Sequence, residues 1–201
     1  ILWFGPCFPV GGFFAFPRYI MGLEKLIVSY FRNPNWIHEI LDFWVDFIIE
    51  ASKEVLKQVK IDYFLIHEDM AYKKGPIISP KFFEEFMLPR YKKLTSCLRH
   101  HGIDIIIVDS DGYIEPLIPL FLEGGVNGLE PLEVAAGMDA LQLRKKYGIN
   151  LRLKGNIDKR VLVIGREAIE KEVDRVLPLM KDGGYIPHID HGIPDNVPFK
   201  N

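Results

Sequence analysis

A chain of 201 residues is long enough for one domain with a substantial core, and 48% hydrophobic with 26% charged content is ordinary for a globular protein. A formal net charge of −2 leaves no basic footprint and argues against nucleic acid as a partner. Two cysteines, Cys7 and Cys97, lie far apart without a neighbouring Cys, which fits a reducing cytoplasm and argues against a disulfide scaffold or zinc knuckle.

In chain order, Ile1–Phe4 reads as a strand followed by a loop rich in glycine and proline. The apolar stretch to Pro17 has no basic flank, is broken by prolines, and is too short to span a bilayer as one helix. The chain begins inside that strand without an initiator Met, so a fragment of a longer chain is expected. Asn33-Pro34 makes a helix start, Asn as N-cap and Pro in the first turn. Trp36, Ile37, Leu41, Trp44 and Ile48 then recur at helical spacing, with Trp36 and Trp44 read as core packing. Tyr63–Ile66 is a strand ending in His67-Glu68-Asp69. Ser79-Pro80 opens a helix that Pro89 should split, and its second piece runs to His101 and stops at Gly102. Ile105–Val108 is a strand ending in Asp109-Ser110-Asp111-Gly112. A helix from about Ile114 to Leu122 precedes a strand from Val126 to Leu129, which ends at Glu130. A helix over Asp139–Tyr147 precedes the strand Leu151–Lys154, which ends in Gly155-Asn156-Ile157-Asp158. A helix from Arg166 to Met180 precedes the strand Tyr185–Ile189, which ends in Asp190-His191-Gly192.

Six strands alternating with five helical connections imply right-handed βαβ units and a parallel sheet. A (β/α)8 TIM barrel has eight strands and about 250 residues. The expected fold is therefore α/β, a TIM barrel incomplete at its N-terminus. An open doubly wound sheet is the competing architecture, but no G-x-G-x-x-G or G-x-x-x-x-G-K-[ST] accompanies it.

Carboxylates resist burial, so acids at the end of strand after strand point to a shared site at one face of the sheet. Asp109 and Asp111, two apart, can bind a hard cation or share a proton; equally, Asp111-Gly112 can be a turn, with Asp109 or Ser110 capping a helix. His191 can act as acid, base, ligand or structural residue. One of His67, Glu68 and Asp69 is expected to face the site. Glu130, Asn156 and Asp158 either orient a substrate or cap loops. Lys159-Arg160 could hold carboxylates or be an exposed basic pair. Arg18 and Tyr19, after the first loop, could reach an anionic ligand.

Ile78-Ser79-Pro80-Lys81-Phe82-Phe83-Glu84-Glu85-Phe86-Met87-Leu88-Pro89 resembles the "SP..F.EF..P" segment of the uroporphyrinogen decarboxylase superfamily. Asp111-Gly112-Tyr113 resembles its D-G-H-like turn, Gly155-Asn156-Ile157-Asp158 its G-N-[LI]-D motif, and His191-Gly192-Ile193-Pro194 its terminal turn. The four motifs occur in the family's order. The resemblance implies a TIM barrel and two chemistries. Decarboxylases remove acetate carboxyl groups from a tetrapyrrole without a cofactor. Corrinoid-linked methyltransferases activate a thiol on zinc held by one His and two Cys. Here the H-x-C position holds Asp109-x-Asp111 and the last cysteine position holds His191, so thiolate ligation of zinc is not expected. The leading expectation is a cytoplasmic decarboxylase of porphyrin biosynthesis, a lyase acting on an anionic tetrapyrrole-type substrate. His191 would orient or protonate the substrate, and Asp109 and Asp111 would bind N–H groups. Arg18, Tyr19, Glu68, Glu130, Asn156 and Asp158 would bind the substrate. The alternative is a methyltransferase with a divalent metal, zinc or another, on Asp109, Asp111 and His191, working with a corrinoid or corrinoid protein. A non-catalytic binding barrel is third. The resemblance further implies no membrane partner and allows a homodimer. The family's N-terminal arginines and catalytic aspartate would lie before Ile1.

Overall fold

The computed structural model describes residues 2–4 and 11–201. The loop expected over residues 5–10, with Cys7, lies outside the described residues. The elements in chain order are β1 (Leu2–Phe4), α1 (Ala15–Met21), α2 (Leu23–Arg32), α3 (Pro34–Gln58), β2 (Tyr63–His67), β3 (Ala71–Tyr72) and β4 (Gly75–Pro76). There follow α4 (Pro80–Phe82), a π-helical segment (Phe83–Met87), α5 (Leu88–His100), β5 (Ile105–Asp109), a 3-10 turn (Glu115–Leu117), α6 (Ile118–Glu123) and β6 (Gly128–Glu130). The chain closes with a 3-10 turn (Val134–Ala136), α7 (Ala140–Tyr147), β7 (Arg152–Ile157), α8 (Val161–Ile164), α9 (Arg166–Asp182) and β8 (Tyr185–Ile189).

Six strands form one sheet in the order β1-β2-β5-β6-β7-β8, and every pairing in it is parallel. The strand order follows the chain order, as in a (β/α) barrel, whereas a doubly wound sheet reverses direction. Among the described residues neither β1 nor β8 has a second strand partner, so the barrel is partial. Side chains alternate across each strand. Phe64, Ile66, Ile106 and Val108 face the helices and join the main core with Ile37, Leu41, Trp44, Phe83 and Tyr91. Tyr63, Ile105, Ile107, Lys154 and Ile186 line a cavity of about 350 Å³ on the opposite face. No helix of the described residues is long and apolar enough to cross a membrane.

Several local details depart from expectation. Two short helices, α1 and α2, occupy the stretch before Asn33, and a β3–β4 hairpin follows β2. Asn33 stands at the N-cap of α3 but its side chain makes no capping bond, whereas Asp139 accepts from the Leu141 and Gln142 N–H groups at 2.8 and 3.2 Å. Trp36 is 43% exposed, so only Trp44 of that pair packs in the core. Pro89 does not break its helix: the helical run is continuous from Pro80 to His100, and the proline, lacking an N–H, is accommodated just after a π-helical segment over Phe83–Met87. After Asp111 the chain begins a 3-10 turn without a side-chain cap, so neither Asp109 nor Ser110 caps it.

Candidate functional site

The parallel register places the strand ends in one layer. His67 of β2 stands beside Asp109 of β5, and Asp109 beside Glu130 of β6. Lys154 of β7 completes the row, its Nζ 2.6 Å from the Glu130 carboxylate. Burial pushes the Glu130 carboxyl up, and Lys154 opposes that shift.

His67 is buried, with Nδ1 2.9 Å from Asp109 Oδ2 and Nε2 3.3 Å from Asp69 Oδ2. The Tyr19 hydroxyl, arriving on α1, lies 3.2 Å from Nε2. Burial alone would lower the imidazole pKa, but hydrogen bonds and charge from Asp109 and Asp69 outweigh it and raise it to about 11. Asp69 is held below its ordinary value: burial opposes this, and the bond and charge of His67 prevail, helped by Arg18. Arg18 donates to the Asp69 carbonyl at 2.8 Å and lies 3.6 Å from its carboxylate.

A second group of charges sits further out. His191 Nε2 lies 3.1 Å from Asp111 Oδ2. Glu133, from the loop after β6, accepts from the Gly112 N–H at 2.9 Å and meets Lys159 Nζ at 3.2 Å. Asp111 is raised to about 6, first by burial, then by the negative charges of Asp69 and Glu133; His191 opposes this. Arg18, Asp69, Asp111 and Glu133 line a cleft of about 290 Å³, walled by Ala71, Tyr72 and Lys73 of the hairpin. Gly112 admits this close approach: its φ is +82°, and a Cβ there would lie 2.6 Å from the Ala71 carbonyl oxygen.

The structure thus brings Asp111 and His191 together, with Arg18 and Tyr19 nearby, but turns Asp109 onto His67. The third potential ligand beside Asp111 and His191 is Glu133, and one donor atom from each lies within 4.8 Å of the others. Two oxygens and one imidazole nitrogen suit a hard or borderline divalent cation and not thiolate-bound zinc. Cys97 is elsewhere, on α5 against His101.

Other sequence-selected residues build the frame. Glu68 is fully buried and accepts from the Phe13, Phe14 and Ala15 N–H groups at 2.7, 2.7 and 3.1 Å and from the Tyr91 hydroxyl at 2.5 Å. It caps α1, and so sets where Arg18 and Tyr19 stand. Burial nevertheless pushes its carboxyl up. Asn156 is fully buried, accepts from the Ala140 N–H and donates to the Leu132 and Met138 carbonyls. Asp158 binds Arg160. Asp190, also fully buried, accepts from the Val134 and Lys159 N–H groups at 2.8 and 3.0 Å, fixing the backbone beside Glu133 and at Lys159. Sequence reasoning missed Glu133, although an acid three residues beyond the Glu130 strand end is a detectable signal.

The chain matches the family "Uroporphyrinogen decarboxylase (URO-D)" over residues 9–201. It belongs to that family. Among curated relatives, the uroporphyrinogen decarboxylase of Serratia proteamaculans is 31% identical over 88% of this chain and 49% of its own length. That of Ruthia magnifica subsp. Calyptogena magnifica is 27% identical over 83% of this chain and 47% of its own length. The chain spans about half the length of these relatives. A solved structure, a methyltransferase from Methanosarcina mazei, superposes with a TM-score of 0.71 at 19% identity, covering 94% of this chain and 53% of that one. The partial barrel is thus a fold shared with that structure.

Proposed function

We propose that this family member is a decarboxylase acting without a cofactor on an anionic, tetrapyrrole-type substrate, with Asp111 moving the proton. The observation that carries this reading is Asp111 itself, a cleft carboxyl raised to about 6 and in contact with His191. When a carboxylate leaves as CO2, the C–C bond breaks and its electron pair stays on the substrate, so a proton must reach that carbon. A carboxyl with a pKa near the working pH can hold and deliver it. His191 then returns the proton, Arg18 contributes charge at the cleft, and Tyr19 adds a hydroxyl from beside His67. The names of the curated relatives support the same chemistry. With it go a cytoplasmic location, a place in porphyrin biosynthesis, a small-molecule substrate and a homodimer. The test is uroporphyrinogen turnover by the full-length protein, read as CO2 release and products with fewer carboxyl groups. Asp111→Asn should lower kcat by roughly 10²–10⁴-fold. Absence of turnover in the unaltered protein rejects the reading.

The grouping of Asp111, Glu133 and His191 favours one alternative, a corrinoid-linked methyltransferase with a divalent metal on those three residues. The metal would there polarise the methyl acceptor. A cation must first displace the Asp111–His191 bond and the Lys159 contact to Glu133. Elemental analysis separates the two readings. Stoichiometric metal that disappears in Asp111→Ala/Glu133→Ala supports the methyltransferase; metal-free protein that turns over uroporphyrinogen supports the decarboxylase.

A further inference from the structure

His67 has an arrangement that goes beyond substrate contact. The residue is 6% exposed, and both ring nitrogens have partners. Nδ1 faces Asp109 at the end of β5, and Nε2 faces Asp69 just beyond β2 and Tyr19 on α1. Arg18 reaches the ring only through Asp69, and Glu130 only through its register with Asp109. A neutral imidazole has one N–H, yet Nδ1 is hydrogen-bonded to the Asp109 carboxylate and a second carboxylate, that of Asp69, lies 3.3 Å from Nε2, an arrangement that favours a proton on both nitrogens. A ring that donates from both nitrogens cannot accept from Tyr19. The phenol oxygen therefore accepts, and its own proton is turned away from His67. Among the described residues no other group takes that proton. The Tyr19 side chain is 44% exposed, with the Arg18 guanidinium 5.2 Å from its ring centroid.

We propose that His67 is a positioning residue: its imidazolium ties Tyr19 and Asp69 to the end of β5 and leaves the Tyr19 hydroxyl as a donor for a ligand oxygen. The raised affinity of this ring for its second proton agrees with that geometry. His67 itself does not reach the ligand. The nature of the ligand, an oxygen-rich anion, rests on the function proposed above; the protonation and orientation do not.

Two measurements on the full-length protein test the proposal. The first is nitrogen-15 NMR of the His67 ring without ligand at pH 7.5. Both nitrogens should carry protons; a neutral tautomer overturns the proposal whatever the substrate is. The second is binding of uroporphyrin, read by fluorescence quenching, to His67→Gln, Tyr19→Phe and the double variant. Each single change should weaken binding roughly ten-fold, the scale of one hydrogen bond to a charged group. The double variant should be no weaker than Tyr19→Phe, because His67 acts through that hydroxyl. Multiplying losses overturn the proposal, since His67 would then act independently of Tyr19. Should uroporphyrin fail to bind the unaltered protein, the substrate reading falls alone, and the NMR result still decides the role of His67.

Discussion

Two sets of polar side chains at the strand ends look alike in composition and behave differently. Glu68, Asn156 and Asp190 are fully buried and bonded to backbone groups of other segments. Asp69, Asp111 and Glu133 stand a few residues away, line the cleft, and meet mainly other charges. The first set holds loops together, and removing any member leaves buried donors without partners. The second set is poised. Where a cation intervenes, as His67 does beside Asp69, the carboxylate stays charged; where burial and crowded like charges act together, as around Asp111, the proton is held more tightly. Burial with backbone donors makes a scaffold, and partial exposure among charges makes a titrating site.

The largest effect should come from the scaffold. Glu68→Ala strands the Phe13, Phe14 and Ala15 N–H groups and the Tyr91 hydroxyl. At roughly 1–3 kcal/mol per orphaned donor, a loss of at least about 3 kcal/mol is expected in urea unfolding. A loss under about 1 kcal/mol would break the distinction between the two sets.

Asp111→Asn should do the opposite. The folded-state pKa of about 6 lies above the ordinary 3.8, so the native state binds this proton more tightly than the unfolded chain does. The contribution of Asp111 to stability is therefore greatest below pH 4 and is lost as pH rises through the window from 4 to 6. The shift corresponds to roughly 3 kcal/mol, but solvent screening of this partly exposed group reduces it to about 1 kcal/mol. Asp111→Asn should accordingly raise stability at pH 7.5 by about 1 kcal/mol, flatten the melting profile between pH 4 and 6, and slow turnover as predicted above. An unchanged pH profile would remove Asp111 from its poised role.

The sheet was legible because its strands are apolar runs with glycine and acid at their ends, and parallel order follows from alternation with helices. Asp111, His191, Arg18 and Tyr19 were legible as residues near strand ends. Which acid turns inward was not. Glu68 and Asp69 are adjacent, and the difference arises from the strand's alternation and from the positive φ of 47° at Asp69. Glu68 caps a helix more than 50 residues earlier in the chain, so no local pattern marks it as a cap. Asn156 sits in a family motif yet fills the frame, because its φ of 61° turns its amide onto the Leu132 and Met138 carbonyls. Helix α1 escaped because it is short and carries Pro17, whereas α2 had a readable helical spacing, with Leu26, Ser29 and Tyr30 on its buried face.

The smallest effect separates position from bonding at helix starts. Asp139 and Asn33 both occupy N-caps, but only Asp139 accepts from backbone N–H groups. Asp139→Ala should cost about 1 kcal/mol, while Asn33→Ala should stay within about 0.5 kcal/mol, both read from denaturant midpoints at constant slope. Equal losses would mean that occupying the cap position suffices. Unequal losses would extend to helix caps what Glu68 and Asp111 show at the strand ends: the bonds a polar group makes decide its contribution, and its place in a motif does not.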